Sequence, residues 1–213
     1  MNDESTRVVR AAYTAETVTV YQAYAWPIAA AAVRAGRFVA PFSRSRMTWI
    51  KPSFGWMMYR CGWAAKPGQE RVLAIEVSRA GFEWALAHSC LSHYTSEQHA
   101  SHEAWAAAKA DAPVRIQWDP DRSLTGERLE RRAIQIGLSG DAIHSYADDW
   151  TCSISDVTAT VHQVELLVRS GRIADATAAL PVEGIYPLTP AIARQIGASS
   201  SQPTLANSPG KAP

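Results

Sequence analysis

TVTVYQAYAWPIAAAAVRAG, residues 17–36, changes hydrophobic period halfway along. In its first eight residues Val18, Val20 and Gln22 alternate with Thr17, Thr19 and Tyr21, the two-residue repeat of a half-buried strand. Pro27 then suits a first helical turn, residues 28–35 are alanine-rich, and Gly36 stops them. Strand gives way to helix again further on. Residues 46–51 read as a short strand, Pro52 restarts a helix through about Cys61, and Gly62 closes it. RVLAIEV, residues 71–77, reads as a buried strand before a helix over 82–88. Residues 6–14 read as a strand, and 96–109 as a helix capped by Thr95 or Ser96. Two more strands, 114–118 and 133–138, flank a charged turn over 119–132. An amphipathic helix over 155–169 aligns Val157, Val161, Val164, Leu167 and Val168 on one face, with Ser155 or Asp156 as cap. Strands interleaved irregularly with helices predict an α+β fold: one globular domain over 1–196, with small mixed or antiparallel sheets and flanking helices. The Ser/Pro-rich stretch 197–213 is expected to be a disordered tail.

At 213 residues, 47% hydrophobic and 19% charged, the chain has enough apolar material for a core without metal or disulfide. Cys61, Cys90 and Cys152 are too few and too widely spaced for a disulfide framework. No run approaches the roughly 18 apolar residues of a membrane span, and the acidic, polar start is unlike a secretory signal. A cytoplasmic protein with no membrane partner is the expectation. Net charge is only +1, but its distribution is uneven. Residues 1–71 hold ten Lys/Arg against four Asp/Glu, and 17–69 contain no acidic side chain.

Within that acid-free stretch, FSRSRMTWIKPSFGWMMYRCGW (42–63) concentrates Phe42, Trp49, Phe54, Trp56, Tyr59 and Trp63 with Arg44, Arg46, Lys51 and Arg60. Guanidinium groups bind phosphate through paired donors, and indole or phenol faces stack on flat rings. The combination points to a nucleotide or nucleic-acid site. On a helix starting at Pro52, the residues Ser53, Trp56, Arg60 and Trp63 share one face, and the helix start offers amides to an anion. The blander alternative is that Trp49, Trp56 and Met57 are core and the arginines a solvated rim.

Several strings carry a family likeness: RAAY at 10–13, VYQAY at 20–24, RMTWIKPSF at 46–54 and WMMYR at 56–60. Over about 7–171 the chain resembles the domain-of-unknown-function family 4291, a likeness that supplies no activity. More distantly, the strand–helix–strand–helix–strand order through 77 resembles the first half of the ADP-ribosyltransferase fold, shared by the RNA 2′-phosphotransferases. That resemblance implies NAD as cofactor and ADP-ribosyl or 2′-phosphate transfer as activity. Tyr21, Gln22 and Tyr24 would then line adenosine or amide contacts, and Arg46, Lys51 and Arg60 would hold phosphates. Residues 131–136 would replace the strand that bears the usual catalytic glutamate. Two departures stand out: YQAY replaces the histidine–glycine–threonine of many relatives, and the late strand presents Gln135, which cannot accept a proton as a carboxylate would.

The expected assignment is a nucleotide-binding enzyme with Arg60, Gln135 and Tyr21 as catalytic residues. Arg10, Gln22, Tyr24, Arg46, Trp49, Lys51, Ser53, Trp56 and Tyr59 are expected to bind the cofactor, all converging on one concavity. The alternatives are a non-enzymatic RNA- or DNA-binding module using the same residues, or an interaction protein whose aromatic patch is its interface. Cys90, His93, His99 and His102 match no standard zinc spacing, so no metal is expected. Cys61 lies in the most basic region but has no identifiable partner base.

Overall fold

In the computed structural model, which describes residues 6–199, the elements run in the following chain order. β1 (Arg10–Ala11), β2 (Thr17–Tyr24), α1 (Trp26–Ala35), β3 (Thr48–Ile50) and α2 (Phe54–Cys61) come first. β4 (Arg71–Ser78), α3 (Arg79–Ala87), β5 (Ser89–Leu91), α4 (His102–Asp111), β6 (Val114–Arg122) and β7 (Arg128–Leu138) follow. After α5 (Asp141–Ser145) comes a π-helical turn (Tyr146–Trp150), then β8 (Thr151–Asp156), α6 (Thr158–Arg169), α7 (Ile173–Ala178), β9 (Gly184–Ile185) and α8 (Pro190–Ile196). The fold is α+β.

Three small sheets carry the architecture. β2, β4 and β8 form an antiparallel sheet with β4 central, and β3–β7–β6–β5 forms a second sheet in which only β5 runs parallel to its neighbour. β1 pairs with β9 in a two-stranded ribbon. The larger sheets meet at one bridge: Tyr21 N–H donates to the Lys51 carbonyl at 2.7 Å, and Lys51 N–H donates back at 3.2 Å. One apolar core includes Val18, Val20, Leu73, Ile75, Ile116 and Ile136; a smaller one beneath α2 joins Tyr21, Phe54, Met57, Met58, Cys61, Val72 and Val161. No helix among the described residues is long and apolar enough to cross a membrane.

Several boundaries differ from the sequence reading, each for a local reason. The strand expected over 6–14 shrinks to Arg10–Ala11, because the chain changes partner as it crosses the surface: Arg7 bridges Arg132, while Tyr13 bridges Val18. The helix expected from 96 starts at His102, where the Ser101 hydroxyl accepts the Ala104 amide; Thr95 instead closes a turn with Gln98 and His99. The charged turn expected over 119–132 is mostly hairpin, since β6 runs to Arg122 and β7 starts at Arg128. Ser155 and Asp156 belong to β8 rather than to α6, yet Asp156 Oδ1 still accepts the Thr158 amide at 2.9 Å. In the expected tail, Gly197 caps α8, and Ser199 exchanges hydrogen bonds with Arg7; residues 200–213, like the first five, lie outside the described residues.

Candidate functional site

α2 is short and mostly core. Ser53 caps its start, Gly62 ends it in the left-handed conformation, and Phe54, Trp56, Met57, Met58 and Cys61 are all buried. Trp56 is 3% exposed, so it is not an open stacking platform; its indole Nε1 has no hydrogen-bond partner. The Trp56 and Tyr59 rings stack at 5.3 Å, and Tyr59 is left 40% exposed. The exposed Arg60 guanidinium stands 6.0 Å from the Trp56 ring centre. Trp63 does not share the helical face expected of it. It follows the cap with φ 56°, and Ala64 with φ 65°, a conformation that costs about 1–3 kcal/mol at each non-glycine residue.

The start of α2 is not free for an external anion. The backbone N–H of Phe54 donates to Glu183 Oε1 at 2.6 Å, so the protein's own carboxylate fills the positive end of the helix. Burial raises the Glu183 carboxyl above its ordinary value, with the charge of Asp121 adding to the rise; the Phe54 amide, Arg10 and Ser53 oppose it. Arg10 donates to the Glu183 carbonyl at 3.0 Å, which ties β1 to the segment entering β9.

Two adjoining pockets flank this helix under the β6–β7 turn, and both are walled by Gly55, Ser123 and Leu124. The first, of 250 Å³, is lined by Tyr59 and Trp63 on one side and Glu165, Val168 and Arg169 of α6 on the other. The second, of 180 Å³, holds Arg10, Arg122 and Arg131 together with Asp121, Glu183 and Ser53. Arg122 links them: it lines the second pocket while its guanidinium stands 4.9 Å from the Tyr59 ring that lines the first. Its Nε is buried without a hydrogen-bond partner. Asp121 accepts Arg131 Nε at 2.7 Å and the Arg122 amide at 2.8 Å.

Of the residues expected to converge, Arg10, Ser53 and Tyr59 line these pockets; the others are placed elsewhere. Gln22, Tyr24 and Trp49 serve packing. Gln22 Nε2 donates to Thr48 Oγ1 at 2.7 Å, its Oε1 accepts the Tyr146 hydroxyl at 2.8 Å, and the Tyr24 hydroxyl lies 3.3 Å from Thr48 Oγ1. Trp49 lies across β7 at Gly137, where an added Cβ would be 3.0 Å from its ring. Tyr21 is 2% exposed, edge-on to Phe54, with its hydroxyl pKa raised by burial and by Glu183. Arg46 is exposed on the loop before β3, close enough to Tyr24 to favour its ionised form.

Lys51 and Gln135 form a separate buried polar group. Gln135 Nε2 donates to Asp119 Oδ2 at 2.7 Å, and Gln117 Nε2 to Asp119 Oδ1 at 2.9 Å. Lys51 Nζ donates to the Trp49 carbonyl at 3.1 Å. Burial, then the nearby Arg60 charge, bring the Lys51 pKa down to about 8. Gln135 is therefore already hydrogen-bonded inside the sheet.

The histidine cluster does not assemble. Cys90 Sγ lies 3.9 Å from His99 Nε2, His102 stacks on Tyr94, and no group of three metal-ligating side chains is found among the described residues. Burial raises the Cys61 thiol pKa, which suits a packing residue. Sequence reasoning missed Arg122, Arg131, Asp121 and Glu183, because they lie far along the chain from the aromatic segment. The one available signal was the arginine density of the 119–132 stretch, which reads as a turn.

A family model described as Domain of unknown function (DUF4291) matches residues 8–186, a span that takes in both β1 and Glu183. No curated protein matches the chain.

Proposed function

The chain belongs to the DUF4291 family, whose description names no activity, and we propose that it binds a nucleotide in the groove between α2, α6 and the β6–β7 turn. The ring of the nucleotide lies in the aromatic pocket against Trp63 and the exposed edge of Tyr59, and a phosphate is met by Arg122 where the two pockets adjoin. One observation carries the reading: a guanidinium with an unmet buried donor stands over an exposed tyrosine where an aromatic pocket meets an arginine-rich one. Arginine favours phosphate through fixed paired donors, and aromatic faces favour flat rings. The distant resemblance of the sequence to ADP-ribosyltransferases and RNA 2′-phosphotransferases assigns NAD to residues that stand outside this groove, so NAD is tried as one nucleotide among several, with ADP-ribosyl or 2′-phosphate transfer as the reaction to assay.

A second reading, an RNA- or DNA-binding module, draws support from Arg128 and Arg131, which are exposed along β7 beside the groove. Titration calorimetry with NAD, ADP-ribose, ATP and a short RNA, at low and high salt, separates the two. Saturable binding of a free nucleotide that weakens in Arg122→Ala is the expected result. RNA binding that collapses with salt, with no heat from any free nucleotide, would promote the second reading, because counterion release makes nucleic-acid affinity steeply salt-dependent. Absence of binding in every arm ends both.

A further inference from the structure

The 180 Å³ pocket is unusual in its charge. It brings Arg10, Arg122 and Arg131 together with Asp121 and Glu183 in a single hollow beside the aromatic one. A phosphate lodged against both carboxylates would be repelled, and an ammonium would face three guanidinium groups. A neutral group with several hydroxyls suffers neither penalty. Each hydroxyl donates to a carboxylate oxygen and accepts from a guanidinium. Asp121 is fixed by Arg131 and by the Arg122 amide, and Glu183 by the Phe54 amide, so both acceptors are held in place before any ligand arrives. Ser53 lines the same wall.

We infer that this pocket holds the ribose of the bound nucleotide, with Glu183 and Asp121 accepting hydrogen bonds from its 2′- and 3′-hydroxyls, so that the protein selects ribonucleotides over deoxyribonucleotides. The inference rests on the nucleotide-binding reading and adds the identity of the sugar and the residues that read it. Glu183 suits the task whether or not it is ionised: burial raises its proton affinity, and a protonated carboxyl can both donate to and accept from a hydroxyl.

The test is titration calorimetry of ATP, 2′-deoxy-ATP and 2′,3′-dideoxy-ATP against the wild-type chain, Glu183→Ala and Glu183→Gln. Melting curves check that each variant folds. Where Glu183→Ala does not fold, the comparison of the three nucleotides on wild type still decides the matter; Glu183→Gln, which keeps an oxygen able to accept from a hydroxyl, should lose less of the preference. Wild type should bind ATP roughly tenfold or more tightly than the dideoxy analogue, as expected for hydrogen bonds to a charged group. In Glu183→Ala that ratio should shrink towards one. Equal affinity of wild type for all three nucleotides overturns the inference and leaves the nucleotide-binding reading standing. A ratio that persists unchanged in a folded Glu183→Ala chain also overturns it. Failure of all three nucleotides to bind wild type removes the nucleotide reading, and the sugar assignment falls with it.

Discussion

The Tyr146 hydroxyl donates to Gln22 Oε1 over 2.8 Å, joining the π-helical turn to the middle of β2 in a fully buried contact. Gln22 passes the connection on, since its Nε2 donates to Thr48 on β3. One amide therefore links the π-helical turn to a strand from each of two sheets. Replacing Tyr146 by Phe removes only the hydroxyl and leaves the Gln22 oxygen buried without that donor. The expected cost is about 1–3 kcal/mol of unfolding free energy, measured by urea denaturation. A Tyr146→Phe chain as stable as wild type would show that the contact contributes nothing.

Gly81, in the first turn of α3, is held to its size by Trp150. A Cβ built there lies 2.3 Å from Trp150 Cγ and 2.6 Å from Cδ1. Real side chains do not approach so closely, so Gly81→Ala must displace the indole from its place beside Trp84. Overpacking of this kind costs about 1–3 kcal/mol, and the displaced indole should alter near-ultraviolet circular dichroism. A Gly81→Ala chain with wild-type melting and spectrum would refute the assignment.

Part of the framework was legible in local patterns, but β5, α5, the π-helical turn, β8 and every element after α6 were not. β2 was readable to the residue, because Val18 and Val20 alternate against threonine, and α2 nearly so, because Gly62 marks its end. The candidate groove was not legible. Its parts come from β1, α2, the β6–β7 hairpin, α6 and the segment before β9, and no local periodicity reports that Glu183 closes on Phe54 across 129 residues. The aromatic segment misled for a physical reason: helical spacing puts Trp56 and Arg60 on one face but does not say whether that face meets solvent or core. Here the Trp56 ring is buried while the Arg60 head reaches water, as long cationic side chains commonly do.

Lys51 should make stability depend on alkaline pH. Its pKa falls from 10.5 unfolded to about 8 folded, because burial disfavours the charge. Below 8 both states carry the proton, and the folded state bears the cost of burying it. Between 8 and 10.5 the unfolded chain binds more protons, so this group's contribution to stability rises with pH. Across that window the rise approaches about 3 kcal/mol. Lys51→Met lacks the titration, so wild type should gain stability relative to it as pH is taken from 7.5 to 10. Denaturation curves for the two chains that stay parallel across that range would contradict the lowered pKa.

Arg122 and Arg60 both stand over aromatic rings, yet they should behave differently. Arg122 lines the arginine pocket with an unmet Nε donor, whereas Arg60 is exposed beside Trp56 and lines neither pocket of the groove. A hydrogen bond to a charged phosphate contributes about 1.5–3 kcal/mol, equivalent to roughly tenfold or more in affinity. Arg122→Ala should therefore weaken nucleotide binding by at least that factor, and Arg60→Ala by much less. The aromatic half supplies a further check, since Tyr59→Ala removes part of the pocket wall and the support beneath Arg122, and should weaken binding too. If calorimetry ranks Arg60→Ala as the more damaging arginine substitution, the ligand lies beside Arg60, not in the groove beside α6.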